Sequence, residues 1–469
     1  MDTTARQCPM RALIRPPAPT PLVKRRGLLE IVRRFRRARH SSLSMISERG
    51  YSMKSGQVGL PGRELVMIAD PSDVRRVLVD DAEHFPKSTL MHDMLHLLIG
   101  NSIFVSNGRT WRRQREMMKP AFDNARIQKV FDRMAGAVTD LEARLDGIAD
   151  GAPRLIDIEM THVTADIIFR TIFSQPIDRR DAEIIFRQFN RFQELSYADS
   201  ITSLAGIPAL LRLVGRYRAK RAARRIRDIL DALIAARRAS TTEDEDILAS
   251  LMAARDPQDG SAFTFDELCE QVAMLFLAGH ETSASALSWA LYLIAKSPDV
   301  QERLHREAVA ILGDRPARFS HMKRLDFTRD VFRETLRLYP PVAFIVRDAA
   351  RAEQIRDKTA KPGGIVMASP WISQRHRELW SHPELFDPDR FQTPDGIDST
   401  RCAYFPFSQG PRVCLGAAFA MQEATLVLAS LARRYRFDVV PGKEPQPVAR
   451  LTLRSDNGVW LRMEPRQDR

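Results

Sequence analysis

The sequence predicts a mainly α-helical protein with small β-sheets, an α+β fold in one principal body. Three observations predict it. Residues 70–312 carry apolar side chains at helical spacing almost throughout, residues 263–296 are apolar on most sides and must cross the interior, and short strand-like runs gather at 51–69 and beyond 342. With 44% hydrophobic and 28% charged residues, a disordered or collagen-like chain is excluded. No stretch reaches the ~18 consecutive apolar residues that a membrane span needs.

In chain order, residues 1–45 read as a basic, Pro-rich leader and 46–469 as a single domain. Within the leader, Lys24, Arg25, Arg26, Arg33, Arg34, Arg36, Arg37 and Arg39 surround Leu28, Leu29, Ile31, Val32 and Phe35. This pattern suits a solvated basic helix or a helix lying on an anionic membrane surface. The start of the chain has no apolar signal core, so a cytoplasmic protein without a transmembrane anchor is expected, possible contact at a membrane surface being left to the basic segment. Lys and Arg exceed Asp and Glu by 72 − 59 = 13 charges. Aromatics do not interleave with this charge and no zinc-finger or helix-turn-helix spacing occurs, so no nucleic-acid partner is expected.

Residues 51–58 and 64–69 alternate apolar and polar about Gly59-Leu60-Pro61-Gly62, the pattern of a hairpin or a loop-linked strand pair. Asp70-Pro71-Ser72-Asp73 caps the helical region that follows. A later helix must end at Leu338-Tyr339-Pro340-Pro341, because paired prolines forbid its continuation. Strand-like runs follow at 342–346, 353–356 and 365–368, and residues 435–469, with Asp456-Asn457-Gly458, suggest a further small sheet. The four cysteines, Cys8, Cys269, Cys402 and Cys414, are too few and too scattered for a disulfide framework. Cys8 reads as a terminal thiol and Cys269 as a small core residue.

The most informative segment is Phe407-Ser408-Gln409-Gly410-Pro411-Arg412-Val413-Cys414-Leu415-Gly416, which sets a cysteine after a Gly-Pro turn and directly before a helical pattern over 416–435. Free amides and the positive end of a helix lower a thiol pKa and favour thiolate. No partner Cys or His stands at zinc spacing, so a lone thiolate suits the axial position of a haem iron, with a buried structural cysteine as the other reading. Within the long helix, Thr282 of Ala278-Gly279-His280-Glu281-Thr282-Ser283 can bond back to the Ala278 carbonyl, bending the ladder and opening a groove. Glu281 offers a titratable group beside it, a plain packing kink being the alternative, and His280 reads as a satisfied polar histidine. Glu334 and Arg337 lie three apart, on one helix face. Trp111 and Arg115 lie four apart, so a Trp N–H and an Arg fork can reach one rim.

Segment 407–416 resembles the haem-binding signature of the cytochrome P450 family, with Phe407, Gly410, Arg412, Cys414 and Gly416 at the required offsets. The resemblance runs from about Tyr51 to the C-terminus and implies that family's fold, with haem b between the long helix and the Cys414 loop. It implies an axial thiolate from Cys414, an oxygen-side pair of Glu281 for protons and Thr282 for oxygen, and haem propionates met by Trp111, Arg115, Arg347 and Arg412. Glu334 and Arg337, joined by Arg390 of Phe386-Asp387-Pro388-Asp389-Arg390-Phe391, correspond to the family's structural lock. Phe276, Ala278, Val342 and Phe344 are expected at an apolar substrate pocket, with 85–103 and 186–216.

The implied reaction is a monooxygenation: one oxygen atom from O2 enters a lipophilic small molecule (fatty acid, terpenoid or steroid-like) by hydroxylation or epoxidation. The stretch after Cys414 is too short for a flavin module, and no Gly-x-Gly-x-x-Gly fingerprint appears. A separate ferredoxin or flavodoxin with its NAD(P)H-dependent reductase is therefore expected, docking on a basic face that includes Arg112, Arg113 and Lys119. A monomer is expected. The rival readings are a peroxide-driven member of the same fold and a haem-thiolate sensor without turnover.

Overall fold

The computed structural model describes residues 13–22, 28–239 and 245–466. Cys8, Lys24, Arg25 and Arg26 lie outside the described residues, as do the side chains of Leu28, Leu29, Ile31, Val32 and Arg34. Helices dominate, and the organising element is the long helix Phe265–Lys296. It opens on a capping box in which the Glu267 N–H donates to Thr264 Oγ1 (3.2 Å) and the Thr264 N–H donates to the Glu267 carboxylate (2.8 Å). Nearly every residue beyond Val272 is buried, so the helix has no solvent face.

Its neighbours are Ile156–Phe173 on one side and Ala417–Arg434 on another. The groove expected at Ala278-Gly279 does not interrupt the helix, which runs through unbroken. Gly279 instead permits close packing, since a Cβ there would sit 3.0 Å from the Ile168 side chain. The helix Asp326–Leu338 stops before the two prolines, and Tyr339 then stacks on Trp289 of the long helix at 3.8 Å.

A hairpin forms where the alternation predicts one, but its first strand is Ser55–Leu60, with Tyr51 in the preceding turn Glu48–Tyr51 and Gly59 and Leu60 paired to Arg63–Ile68. It continues into a four-stranded sheet: Arg63–Ile68 pairs in parallel with Ile365–Ala368, which pairs antiparallel with Ile345–Asp348. This sheet places Arg347 on the inner edge of the body, bridged to Lys87. Asp456-Asn457-Gly458 does not turn a simple hairpin: Leu453–Ser455 pairs back to Pro447–Ala449, while Trp460–Pro465 pairs with Tyr435–Val439 and Arg154–Leu155.

The described part of the leader packs on the body. Ile14 bridges to Phe386 and Leu22 to Ser47. Tyr339 donates its hydroxyl to the Pro17 carbonyl (2.7 Å), and Tyr197 donates to the carbonyl of Ala38 in the helix Leu28–His40 (2.7 Å). No helix among the described residues is long and apolar enough to cross a membrane.

Candidate active site

A short turn, Gly410–Arg412, leads into Cys414 and then the helix Ala417–Arg434. Gly410 has φ +70°, and a Cβ there would meet the Leu78 carbonyl oxygen at 2.1 Å, so only glycine fits the turn. The Cys414 N–H donates to the Phe407 carbonyl (2.9 Å), which fixes the loop, and the Gly416 N–H donates to the sulfur. Cys414 is exposed, yet burial is the strongest influence on its thiol. Its accessible surface therefore faces a space enclosed by protein. The thiol pKa is raised by that burial, against the lowering expected from the helix N-terminus. Gly416, Arg115 and Lys87 all favour thiolate, but desolvation of the sulfur outweighs them.

Around this space stand four cations: Lys87, Arg115, Arg347 and Arg412. Among the described residues none of them has a carboxylate ion-pair partner. Arg115 donates to the Val413 carbonyl (3.0 Å), and Arg412 donates to the Ser106 carbonyl (2.9 Å) and Asn107 (2.9 Å). Arg412 also stacks over Trp111 at 3.8 Å, so Trp111 serves here as a platform for the guanidinium. Burial pushes Arg347 down to about 10 and Arg412 down to about 9, and it holds Lys87 well below its ordinary value, with Arg347 and Arg412 adding to that. Four desolvated, mutually repelling cations call for anionic groups between them. A dicarboxylate porphyrin meets that demand, and the accessible sulfur beside them offers an iron ligand. The residues present fit haem. Lys87 carried no motif, and only the bridge to Arg347 reveals it.

On the long helix, Thr282 donates its hydroxyl to the Ala278 carbonyl (2.6 Å), the bond that their spacing predicts. Glu281 is 2% exposed and is gripped by both arms of the Arg454 guanidinium, with the Thr452 hydroxyl donating at 2.7 Å. Burial favours its neutral form, but Arg454 prevails, and the carboxyl stays below its ordinary pKa. Thr452, in the turn between Pro447–Ala449 and Leu453–Ser455, and Arg454, in the second of these strands, had no sequence signal. His280 is a buried, satisfied residue whose Nδ1 contacts the Phe276 carbonyl (2.8 Å).

A cavity of about 540 Å³ extends from Ala278, Glu281 and Thr282 past Val342 and Phe344. Phe276, expected on its wall, is not there: it packs against Phe169 and His280 on the opposite face of the long helix. The wall is made by Met274 and Leu277 instead, because the helix turns about 100° per residue.

On the helix Asp326–Leu338, Arg337 donates to both oxygens of Glu334 (2.7 and 2.8 Å), and Arg390 donates to one of them (3.0 Å). The remaining guanidinium N–H groups go to the carbonyls of Gln374, Pro383, Leu385 and Ser381. Glu423, unsignalled by sequence, is buried with a single side-chain bond, from Ser283, and burial raises it to about 8. Of the cations expected on the docking face, Arg113 is engaged with Asp256, Glu267 and the Phe263 ring and does not belong there. Arg112, paired with Glu83, and Lys119 are exposed.

The family model for Cytochrome P450 matches residues 16–461. The chain is 33% identical to cyclooctatin synthase of Streptomyces melanosporofaciens, over 85% of this chain and 86% of that one. It is 31% identical to cyclooctat-9-en-7-ol 5-monooxygenase of the same organism (82% and 83% covered) and 30% identical to pentalenene oxygenase of Streptomyces avermitilis (84% and 87% covered). With the thiol loop, the cation ring and a family match over nearly its whole length, this chain belongs to the cytochrome P450 family, the haem-thiolate monooxygenases that act on lipophilic small molecules.

Proposed function

We propose that Cys414 is the axial ligand of haem b and that the enzyme hydroxylates or epoxidises a terpenoid-like cyclic hydrocarbon. When bound, haem activates O2 and supplies one oxygen atom to the substrate. Lys87, Arg115, Arg347 and Arg412 meet the propionates, Trp111 supporting Arg412 from beneath. Phe407 shields the sulfur, and Gly410 lets the loop backbone pass close to its neighbours.

Ala278, Val342, Phe344 and Leu277 wall the cavity with hydrocarbon, so they exclude water and orient a substrate by shape rather than by hydrogen bonds. The terpenoid class is favoured over fatty acids by relatives named for cyclooctat-9-en-7-ol and pentalenene. It is favoured also by the wall itself: among the described residues Arg450 is the one cation lining the cavity, and it is already paired with Glu194 and Asp456, whereas a carboxylate substrate would need a cation near its end. Thr282 lines the cavity, and Arg454 favours the ionised form of Glu281. Glu281 takes up a proton when that contact loosens toward solvent, then passes it toward Thr282.

Electrons come from a separate ferredoxin or flavodoxin with its NAD(P)H-dependent reductase, docking on a face that includes Arg112 and Lys119. The protein acts in the cytoplasm, with its basic N-terminal segment available to an anionic surface.

The observation that carries this reading is the accessible Cys414 sulfur facing four carboxylate-free cations. The test is a panel of cyclic hydrocarbons, fatty acids and polar controls supplied with NAD(P)H and a surrogate redox pair. Oxygenated cyclic hydrocarbons and substrate-induced spin-state shifts are expected. Turnover confined to fatty acids or charged molecules would contradict the substrate reading, and absence of any turnover would contradict the enzymatic one.

A further inference from the structure

Two groups of metal-ligating side chains stand outside the active site among the described residues. The first, Asp81, His84 and Glu353, is already answered by cations. Arg76 pairs with Asp81 (2.8 Å) and Glu353 (2.7 Å), while Arg351 pairs with Glu353 (2.7 Å) and reaches His84 (3.0 Å). A metal ion there has to displace two guanidinium groups. The second group, His92, Asp93 and His96, has no Lys or Arg ion-pair partner among the described residues. It stands on the helix Thr89–Ile99.

Of the ten histidines of the chain, His92 and His96 are the one pair four positions apart. That spacing puts both rings on one helix face, and it is the spacing at which helical histidine pairs hold zinc. The rings lie parallel, with centroids 5.2 Å apart. Asp93 leans toward them, its carboxylate 3.5 Å from His92 Nδ1. One nitrogen from each ring and one carboxylate oxygen fall within 4.8 Å of one another. The ligands of a tetrahedral zinc ion, each about 2.0–2.1 Å from it, stand closer together than that. The side chains of His92 and Asp93 are 44% and 75% exposed, so small turns of them close the gap without moving the backbone.

A further contact prepares His96. Its Nδ1 lies 3.1 Å from the carbonyls of both His92 and Asp93. Carbonyls only accept, so Nδ1 carries the proton of the neutral ring and Nε2 keeps its lone pair for a metal.

We infer that His92, Asp93 and His96 form a binding site for one divalent transition cation of the zinc type, with water completing its coordination. The donor set decides the class: two imidazoles and a carboxylate suit zinc, whereas calcium and magnesium take oxygen ligands. The place of the site gives it a use. Both ends of the helix are fixed. At its start the Ser88 hydroxyl and the Thr89 N–H donate to Asp348 (2.5 and 2.8 Å), and just past its end the Asn101 N–H donates to Glu270 (3.0 Å). Between these anchors its inner face sets Met91, Met94, Leu95 and Leu98 on the cavity wall. An ion bridging His92 and His96 ties successive turns of that wall together and stiffens it.

The test is a calorimetric titration of tag-free, haem-loaded, full-length protein with zinc chloride. It uses no substrate, so it is independent of the hydrocarbon reading. One ion per chain is expected to bind, and His92→Ala/His96→Ala is expected to weaken binding by about tenfold or more. Asp93→Asn should weaken it by less. Unchanged circular dichroism and melting temperature without zinc check that the variants fold. Cobalt(II) in place of zinc should give no sulfur-to-metal charge-transfer band, and zinc should slow hydrogen exchange over residues 89–99. No saturable binding, equal binding by the double variant, or a thiolate band abolished by Cys402→Ser would overturn the inference. Unchanged exchange over 89–99 with zinc bound would contradict the stiffening.

Discussion

Glu334 and Glu281 are both buried helical carboxylates held by arginine, yet their surroundings differ. The partners of Glu334, Arg337 and Arg390, are 0% and 5% exposed, and their other N–H groups are absorbed by backbone carbonyls. Glu281 is just as buried, but its partner Arg454 is 37% exposed and reaches out to Asn190. The first arrangement is closed and can only hold the fold. The second has one end in water, which suits the proton-carrying role proposed for Glu281. On the proposed roles, burial alone does not separate the structural acid from the chemical one; the exposure of the counter-ion does.

The largest expected effect is on the closed site. Glu334→Ala strands two buried guanidinium groups, and a loss of about 3–5 kcal/mol or complete failure to fold is expected in urea denaturation. Wild-type stability in that variant would remove the distinction.

A third buried acid sharpens it. Glu423 keeps its proton up to about pH 8 in the folded chain, while the unfolded chain gives it up near 4.5. In that window the unfolded state binds fewer protons, so this group makes stability fall as pH rises from about 5 to 8. Glu423→Gln should flatten the slope by on the order of 3 kcal/mol, read from denaturation midpoints at several pH values. An unchanged slope would mean that the group ionises normally.

For Glu281→Gln, turnover is expected to fall about a hundredfold, with only about 1 kcal/mol lost in stability because Arg454 can move into water. A collapse of the fold with this change would place Glu281 with Glu334. The smallest effect belongs to the cavity: Phe344→Ala should weaken substrate binding about tenfold. Phe276→Ala should leave binding unchanged and lower stability by about 3 kcal/mol instead. Titrating the spin-state shift in both variants separates the two positions.

What could be read from the sequence was what lies close along the chain. Thr282 and Ala278, or Glu334 and Arg337, meet because three or four residues make one helical turn, and the turn before Cys414 follows from Gly410 and Pro411. Lys87, Thr452, Arg454 and Glu423 stayed hidden because their partners lie far away in sequence and are brought near only by sheet pairing and helix crossing. Phe276 was misplaced for a related reason: an apolar residue six positions before Thr282 can face the cavity or the neighbouring helix, and only packing against Phe169 decides. Arg113 looked like a surface charge until Asp256, many residues away, claimed it.

The central claim is that the Cys414 sulfur binds haem iron. The ferrous carbon monoxide spectrum of the haem-loaded full-length protein tests it most directly. A thiolate-type Soret band is expected for the parent protein, and its loss, with haem still retained by the cation ring, for Cys414→Ser. The same thiolate-type band in both proteins would contradict the account.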